Sequence, residues 1–183
     1  MTETDLVKLL SERFHENFAD ETARAVLGAD GVELLYDLVA FRHGELPKPV
    51  RHKVLFRGAY VLERIYFTVP ERFMLRAAVF CRRDFPACAD PSARRHFGKI
   101  MADLLGRYVP EPEALERIAE AATEWAVDPG SKVAVKVWAV EVLCRCRDRV
   151  GWVAESWDDI VEAVAADATP GLACRLRKSW RRI

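Results

Sequence analysis

The chain has 183 residues, of which 51% are hydrophobic and 31% are charged. This composition is typical of a folded globular protein and excludes an intrinsically disordered chain. The 28 basic and 28 acidic residues cancel, so the net charge neither favours nor excludes a nucleic-acid partner. No uncharged apolar stretch is long enough to span a membrane, and the acidic N-terminus does not resemble a secretory signal. We therefore expect a cytoplasmic protein.

Apolar residues recur at helical spacing along the chain, and no strand-like alternation of useful length occurs. The first predicted helix covers about 5–18, with an apolar stripe formed by Leu6, Leu9, Leu10 and Phe14. The later helices are predicted over 32–41, 49–68, 70–85, 91–108, 112–127, 131–150, 152–166 and 170–183. The sequence therefore predicts an all-α fold.

Proline, glycine and other small residues recur in one register. The residues that mark the start of the recurring helix are Pro49, Pro91, Gly130 and Pro170. The small residues that follow in the same register are Gly58, Gly98, Ala139 and Ser179. A period of about 40 residues is typical of stacked helix pairs. We interpret the small residues as points of close helix approach rather than as ligand contacts.

An Asp stands ahead of three of these helices, at Asp90, Asp128 and Asp167, where it can cap a helix N-terminus. Asp90 is followed by Pro91 and Arg94, and Asp128 by Pro129 and Lys132. This order resembles the second helix of HEAT repeats, although the spacing from Asp to the basic residue differs from the standard one. The resemblance runs from about residue 32 to the C-terminus. It implies an α–α superhelix of HEAT-like rather than regular HEAT units.

The resemblance implies a single α-solenoid domain over residues 1–183. An N-terminal cap (1–28) with a capping helix would precede four helix pairs, at about 30–68, 70–108, 112–150 and 152–183. Segments 56–63, 94–101 and 135–143 also resemble a group of small bacterial helical-repeat proteins. Some of those proteins carry an adenylosuccinate lyase label. The chain has no Ser- and Gly-rich catalytic loop and no room for that enzyme's long helical bundle, so we expect no lyase activity.

Charge is sorted between the helices. The second helices of the pairs, 49–68, 91–108, 131–150 and 170–183, hold 18 basic and four acidic residues. Because the second helices of HEAT-like stacks line the concave face, the resemblance implies a strongly basic concave surface. The candidate partner-binding residues on it are Lys53, Arg57, Tyr60, Arg64, Arg95, Lys99, Lys132, Lys136, Arg175 and Lys178.

Several functions are compatible with this surface. The first hypothesis is a non-catalytic interaction module or scaffold whose basic face binds an acidic protein or peptide. The alternative is a DNA-binding or DNA alkylation-repair-like solenoid, in which Tyr60 and Trp138 would be the aromatic residues around the damaged nucleobase. The basic side chains could instead pair with carboxylates of the protein itself and hold the stack in register. A fourth possibility is a subunit that completes a larger assembly through an apolar patch.

The residues with reactive side chains form no recognisable site. The five cysteines include no C-x-x-C pair, and the four histidines have no partner at ligand spacing. His96 lies beside the basic residues and could contact a ligand, but a packed or surface histidine fits the pattern better. No hydrolase, metalloprotease or phosphate-loop motif occurs. We therefore expect no catalytic residue, metal or cofactor.

Overall fold

The computed structural model describes residues 1–166 and 168–180, and gives only the backbone of Arg42, His43, Lys178 and Ser179. Helices make up 76% of the structure, and none of the described residues lies in a strand. The prediction of an all-α fold is confirmed. Among the described helices, none is both long and apolar enough to cross a membrane.

The described α-helices are α1 (Glu3–Ser11), α2 (Phe18–Gly28), α3 (Val32–Ala40), α4 (Lys48–Thr68), α5 (Pro70–Met74), α6 (Ala77–Val79), α7 (Pro91–Leu104), α8 (Pro112–Val127), α9 (Val133–Cys146), α10 (Gly151–Glu155), α11 (Trp157–Ala166) and α12 (Pro170–Arg175). Two further segments are π-helical, Phe80–Asp84 and Leu176–Trp180. Arg42–Glu45 forms a 3-10 turn. The chain divides into two compact units, Met1–Ala77 with Cys88–Phe97, and Ala78–Ala87 with Gly98–Ile183.

The first unit is built around α4, which packs against α1, α2, α3 and α5. Buried residues lie on several sides of this long helix because neighbours surround it. Gly58 permits the closest approach: a Cβ atom there would lie 2.6 Å from Val39 Cγ2 and 3.5 Å from Leu10 Cδ1. Gly58 is therefore a packing residue.

The N-terminal 28 residues form two helices and not the single capping helix that we predicted. Thr2 and Asp5 form a capping box at the start of α1, which ends at Ser11, and Phe14 is 46% exposed beyond that end. A second helix, α2, begins at Phe18 and packs against α4. Its buried face includes two alanines and a threonine, so the apolar stripe is weak in the sequence.

In the second unit α8 packs along α9, α8 contacts α11, and α9 contacts α12. The π-helical segment Phe80–Asp84 packs against α8, where Phe85 and Trp125 bring their ring centres within 4.5 Å. A Cβ atom on Gly98 would lie 2.9 Å from Trp138 Cβ, so α7 and α9 approach closely at this glycine.

Two predicted helices are interrupted in the structure. The helix predicted over 70–85 consists of α5, α6 and a π-helical segment, with a turn at Leu75 and Arg76. This turn places Arg76 against two carboxylates of α3, those of Glu33 and Asp37. The helix predicted over 152–166 is divided between α10 and α11.

The three aspartates that we expected to cap helices have different outcomes. Asp90 caps α7, since its Oδ1 accepts hydrogen bonds from the backbone N–H groups of Ser92 and Ala93 at 2.8 and 3.0 Å. Asp128 instead closes the turn that follows α8, because its Oδ1 accepts the Gly130 N–H at 2.8 Å. Asp167 lies outside the described residues. The last helix buries its predicted apolar residues, Leu172, Leu176 and Trp180.

Candidate partner-binding surface

Arg57 of α4 is engaged inside the first unit. Its Nη1 donates hydrogen bonds to the carbonyl oxygens of Leu10 and Glu12, at 2.9 and 2.5 Å. Its guanidinium also lies over the rings of Phe14 and Phe18, at 5.5 and 5.4 Å from their centres. Both carbonyls belong to the C-terminal end of α1, where a cation satisfies unpaired acceptors and the helix dipole. The guanidinium therefore holds α1 to α4.

Arg64, also on α4, is paired with a carboxylate. Its Nε lies 2.8 Å from Asp20 Oδ1, and its Nη2 donates to Asp20 Oδ2 at 3.2 Å. Only the Nη2 contact is a hydrogen bond, since Nε is close to Oδ1 but donates no hydrogen bond. Since both side chains are partly exposed, the pair contributes little to stability but occupies the arginine.

Tyr60 stacks on a buried histidine. Its ring centre lies 5.2 Å from that of His96, at an interplanar angle of 26°. His96 Nδ1 lies 2.6 Å from Glu63 Oε2, and neither residue is more than 7% exposed. His96 is thus packed in the interior of the first unit and is not a surface residue. The aromatic face of Tyr60 is therefore used in part by the protein's own core.

Lys53 and Arg95 differ from these residues. Both are exposed, and neither forms an ion pair or hydrogen bond with any described side chain or backbone group. Lys53 lies on α4 and Arg95 on the part of α7 that belongs to the first unit. Each is a cation that solvent or a partner can reach.

The candidates in the second unit also divide into engaged and free residues. Lys99 lies over the ring of Trp138, with Nζ 5.9 Å from the ring centre. Arg175 of α12 pairs with Glu141 of α9 at 2.9 Å, and the Trp180 indole N–H donates to the same Oε1 at 3.3 Å. These contacts bind α12 to α9 and occupy the arginine.

Lys132 and Lys136 are the remaining described candidates. Lys132 is exposed at the N-terminal end of α9 and has no partner among the described residues. Lys136, one turn further along, is only 6% exposed and likewise has no partner in the described part of the chain. A side chain this buried offers little contact surface, so Lys132 is the accessible cation of this pair. Lys178 lies outside the described side chains.

Comparison with known proteins assigns no family. No family model, curated protein or solved structure matches this chain.

Sequence reasoning missed two features of the structure. One is the Glu63–His96 pair. Its only sign in the sequence is that Glu63 is a single acidic residue among the apolar residues that α4 buries. The other is a cavity lined by Arg82 and Arg117, which are 35 positions apart and on different helical segments. Neither pairing has a local spacing rule, so no motif could have indicated it.

Four of the cysteines are poorly suited to act as nucleophiles. Burial raises the pKa of the thiols of Cys81, Cys88, Cys144 and Cys146 to about 12, so they remain protonated at neutral pH. Within the described residues, no group of three or more His, Cys, Asp or Glu side chains is placed to hold a metal ion.

Proposed function

We propose that this protein is a non-catalytic interaction module whose exposed basic residues bind an acidic protein segment. The observation that carries this proposal is the accessibility of three basic side chains, those of Lys53, Arg95 and Lys132. All three are exposed and have no partner among the described residues, whereas the neighbouring arginines are engaged. These free cations leave unneutralised positive charge that a carboxylate-rich segment can satisfy.

We further propose that the helices form HEAT-like pairs in an α–α superhelix. The four helices that open the recurring register begin at Lys48, Pro91, Val133 and Pro170, about 40 residues apart. In the second unit, α8 contacts α11 while α9 contacts α12, which is how two successive helix pairs pack in a solenoid. The first helices of the two pairs contact each other, and so do the second helices, which supports the proposal.

Among the candidate residues, few cations are both free and accessible, which favours an acidic protein segment over duplex DNA. Arg57, Arg64 and Arg175 are committed to contacts within the protein. Three phosphate contacts would give a salt slope of about −2.7, which corresponds to roughly 40-fold weaker binding between 50 and 200 mM salt. A protein that makes about 6–10 phosphate contacts loses on the order of 10³–10⁵-fold in affinity over the same interval.

The test uses a fluorescein-labelled peptide of about 20 glutamates and a labelled DNA duplex, titrated with the full chain at 50 and 200 mM salt. In the test variant Lys53, Arg95 and Lys132 are all changed to Glu. In the control variant Lys8, Arg13 and Arg145, which are exposed and have no described side-chain contact, are changed to Glu. Both variants change the net charge equally, so any difference between them reports on position.

We expect the peptide to bind the unmodified chain and the control variant, and binding to be lost in the test variant. Absence of peptide binding at 50 mM salt, or equal loss in both variants, would overturn the proposal. Tighter binding of the duplex than of the peptide, with a salt slope steeper than three free cations allow, would assign the surface to nucleic acid instead.

A further inference from the structure

A cavity of about 570 Å³ lies in the second unit, between the π-helical segment Phe80–Asp84 and the start of α8. This volume is in the range of sites that hold small organic ligands. A π-helical turn costs backbone stability relative to an α-helix and occurs often at functional sites. Here it places Cys81 and the next residue, Arg82, on the cavity wall.

Two arginines from different elements line this cavity. Arg82 belongs to the π-helical segment and Arg117 to α8, and both are exposed. Neither forms an ion pair or hydrogen bond with any other described residue. Arg83, by contrast, pairs with Asp84, with Nε 2.6 Å from Oδ1. Two unpaired guanidiniums on the wall of one cavity offer several N–H donors to an anion.

A second cavity of about 500 Å³ indicates which part of the first cavity carries the positive charge. It shares Arg82 and Arg117 with the first cavity, and its other wall residues include no carboxylate. Glu111 and Glu113 line only the first cavity. The two arginines therefore stand where the cavities adjoin, and the glutamates line the part that the second cavity does not share.

The rest of the wall is suited to an apolar group. Pro110 and Cys81 are buried, and Tyr108 contributes an aromatic ring. Because burial raises the pKa of the Cys81 thiol to about 12, this side chain acts as a neutral surface and not as a nucleophile. An anionic group at the arginines can thus be joined to a hydrocarbon part that packs on this wall.

We propose that this cavity is a binding site for a small organic anion. Arg82 and Arg117 bind its phosphate or carboxylate group, and Tyr108 and Pro110 contact its apolar part. The site goes beyond the proposed partner binding, because Lys53, Arg95 and Lys132 do not line either cavity. Planar guanidinium groups match the oxygen geometry of both anions, so the shared chemistry is an oxyanion attached to an apolar group.

Calorimetric titration of the full chain with phenyl phosphate, phthalate and inorganic phosphate at low salt tests the site. The variants are Arg82→Gln and Arg117→Gln, made singly and together. Arg145→Gln is the matched control, because Arg145 is an exposed arginine of the same unit that lines neither cavity. Thermal unfolding of each variant confirms that it folds.

We expect one of the two aromatic anions to bind at one site per chain and more tightly than inorganic phosphate. Whether it is phenyl phosphate or phthalate identifies the anion as a phosphate or a carboxylate. Each single arginine variant should weaken binding at least about tenfold, and Arg145→Gln less than about twofold. No saturable binding of either aromatic anion, or the same loss with Arg145→Gln, would overturn the assignment.

Discussion

Nδ1 of His96 lies 2.6 Å from Oε2 of Glu63, although the two residues are 33 positions apart and almost fully buried. With Glu63 ionised, the proton resides on Nδ1 and is donated to the carboxylate. Nε2 of the same ring is buried and has no hydrogen-bond partner among the described residues. The pair joins α4 to α7 within the first unit. Its loss would leave a polar ring in an apolar environment.

We predict that Glu63→Leu lowers the free energy of unfolding by about 2–4 kcal/mol, because it removes the acceptor of a buried donor. The double variant Glu63→Leu, His96→Phe should be more stable than the sum of the two single changes predicts, by at least about 1 kcal/mol. Urea unfolding of the four proteins in the cycle measures this coupling. Additive losses would contradict a direct interaction. Glu120→Leu, at an exposed position of α8, is the control for loss of charge.

The glycines provide a test of helix approach. Gly58→Ala and Gly98→Ala should each destabilise the protein by about 1–3 kcal/mol, because the new Cβ atoms would lie 2.6 and 2.9 Å from neighbouring carbons. Gly28→Ala should change stability little or raise it by up to about 1 kcal/mol, since nothing lies within 4 Å there and alanine favours a helix. Thermal unfolding compares the three. A stable Gly98→Ala protein would show that α7 and α9 can separate at low cost.

Arg57 and Lys53 lie one turn apart on α4 but should behave differently. Arg57→Met should lower the free energy of unfolding by about 1–3 kcal/mol and increase proteolysis before residue 18, because two carbonyls of the α1 end lose their donor. Lys53→Met should change stability by less than about 0.5 kcal/mol, since Lys53 has no described partner. Limited proteolysis and urea unfolding measure both effects. Equal stability of the two variants would contradict a structural role for Arg57.

The buried thiols predict a loss of stability in alkali. In the unfolded chain they ionise near the ordinary pKa of 9.0, whereas burial raises the pKa of Cys146 and three others to about 12. Above pH 9 the folded protein therefore retains protons that the unfolded chain loses. These thiols leave the free energy of unfolding nearly unchanged up to about pH 8 and lower it as the pH rises through 9 towards 12, by at most about 1.4 kcal/mol per pH unit for each thiol.

Cys146→Ala should make the alkaline decline in the free energy of unfolding less steep, because it removes one of the thiols that ionise more readily in the unfolded chain. Urea unfolding between pH 9 and 10.5 measures the slope, and the range from pH 6 to 8 is the control, where the two proteins should have parallel profiles. An unchanged alkaline slope would show that Cys146 ionises alike in the folded and unfolded chains.

The sequence by itself determined the local features of this protein. Apolar periodicity predicted the all-α fold and the full extent of α8, because a helix buries residues that recur about every 3.6 positions. The cap at Asp90 was also predictable, since the carboxylate and the N–H groups that it accepts lie within three residues of each other. These contacts form between near neighbours, so spacing alone is enough to indicate them.

Only the tertiary structure decided which cations are free. Arg57 and Lys53 have the same charge and lie on the same helix, but the fold brings the Leu10 carbonyl, 47 positions away, to Arg57 alone. It likewise brings Arg82 and Arg117 to one cavity from two separate helical segments. Helical spacing gives the face on which a side chain lies. Whether that face meets a carbonyl, a carboxylate or solvent depends on the packing of distant helices, which no local pattern encodes.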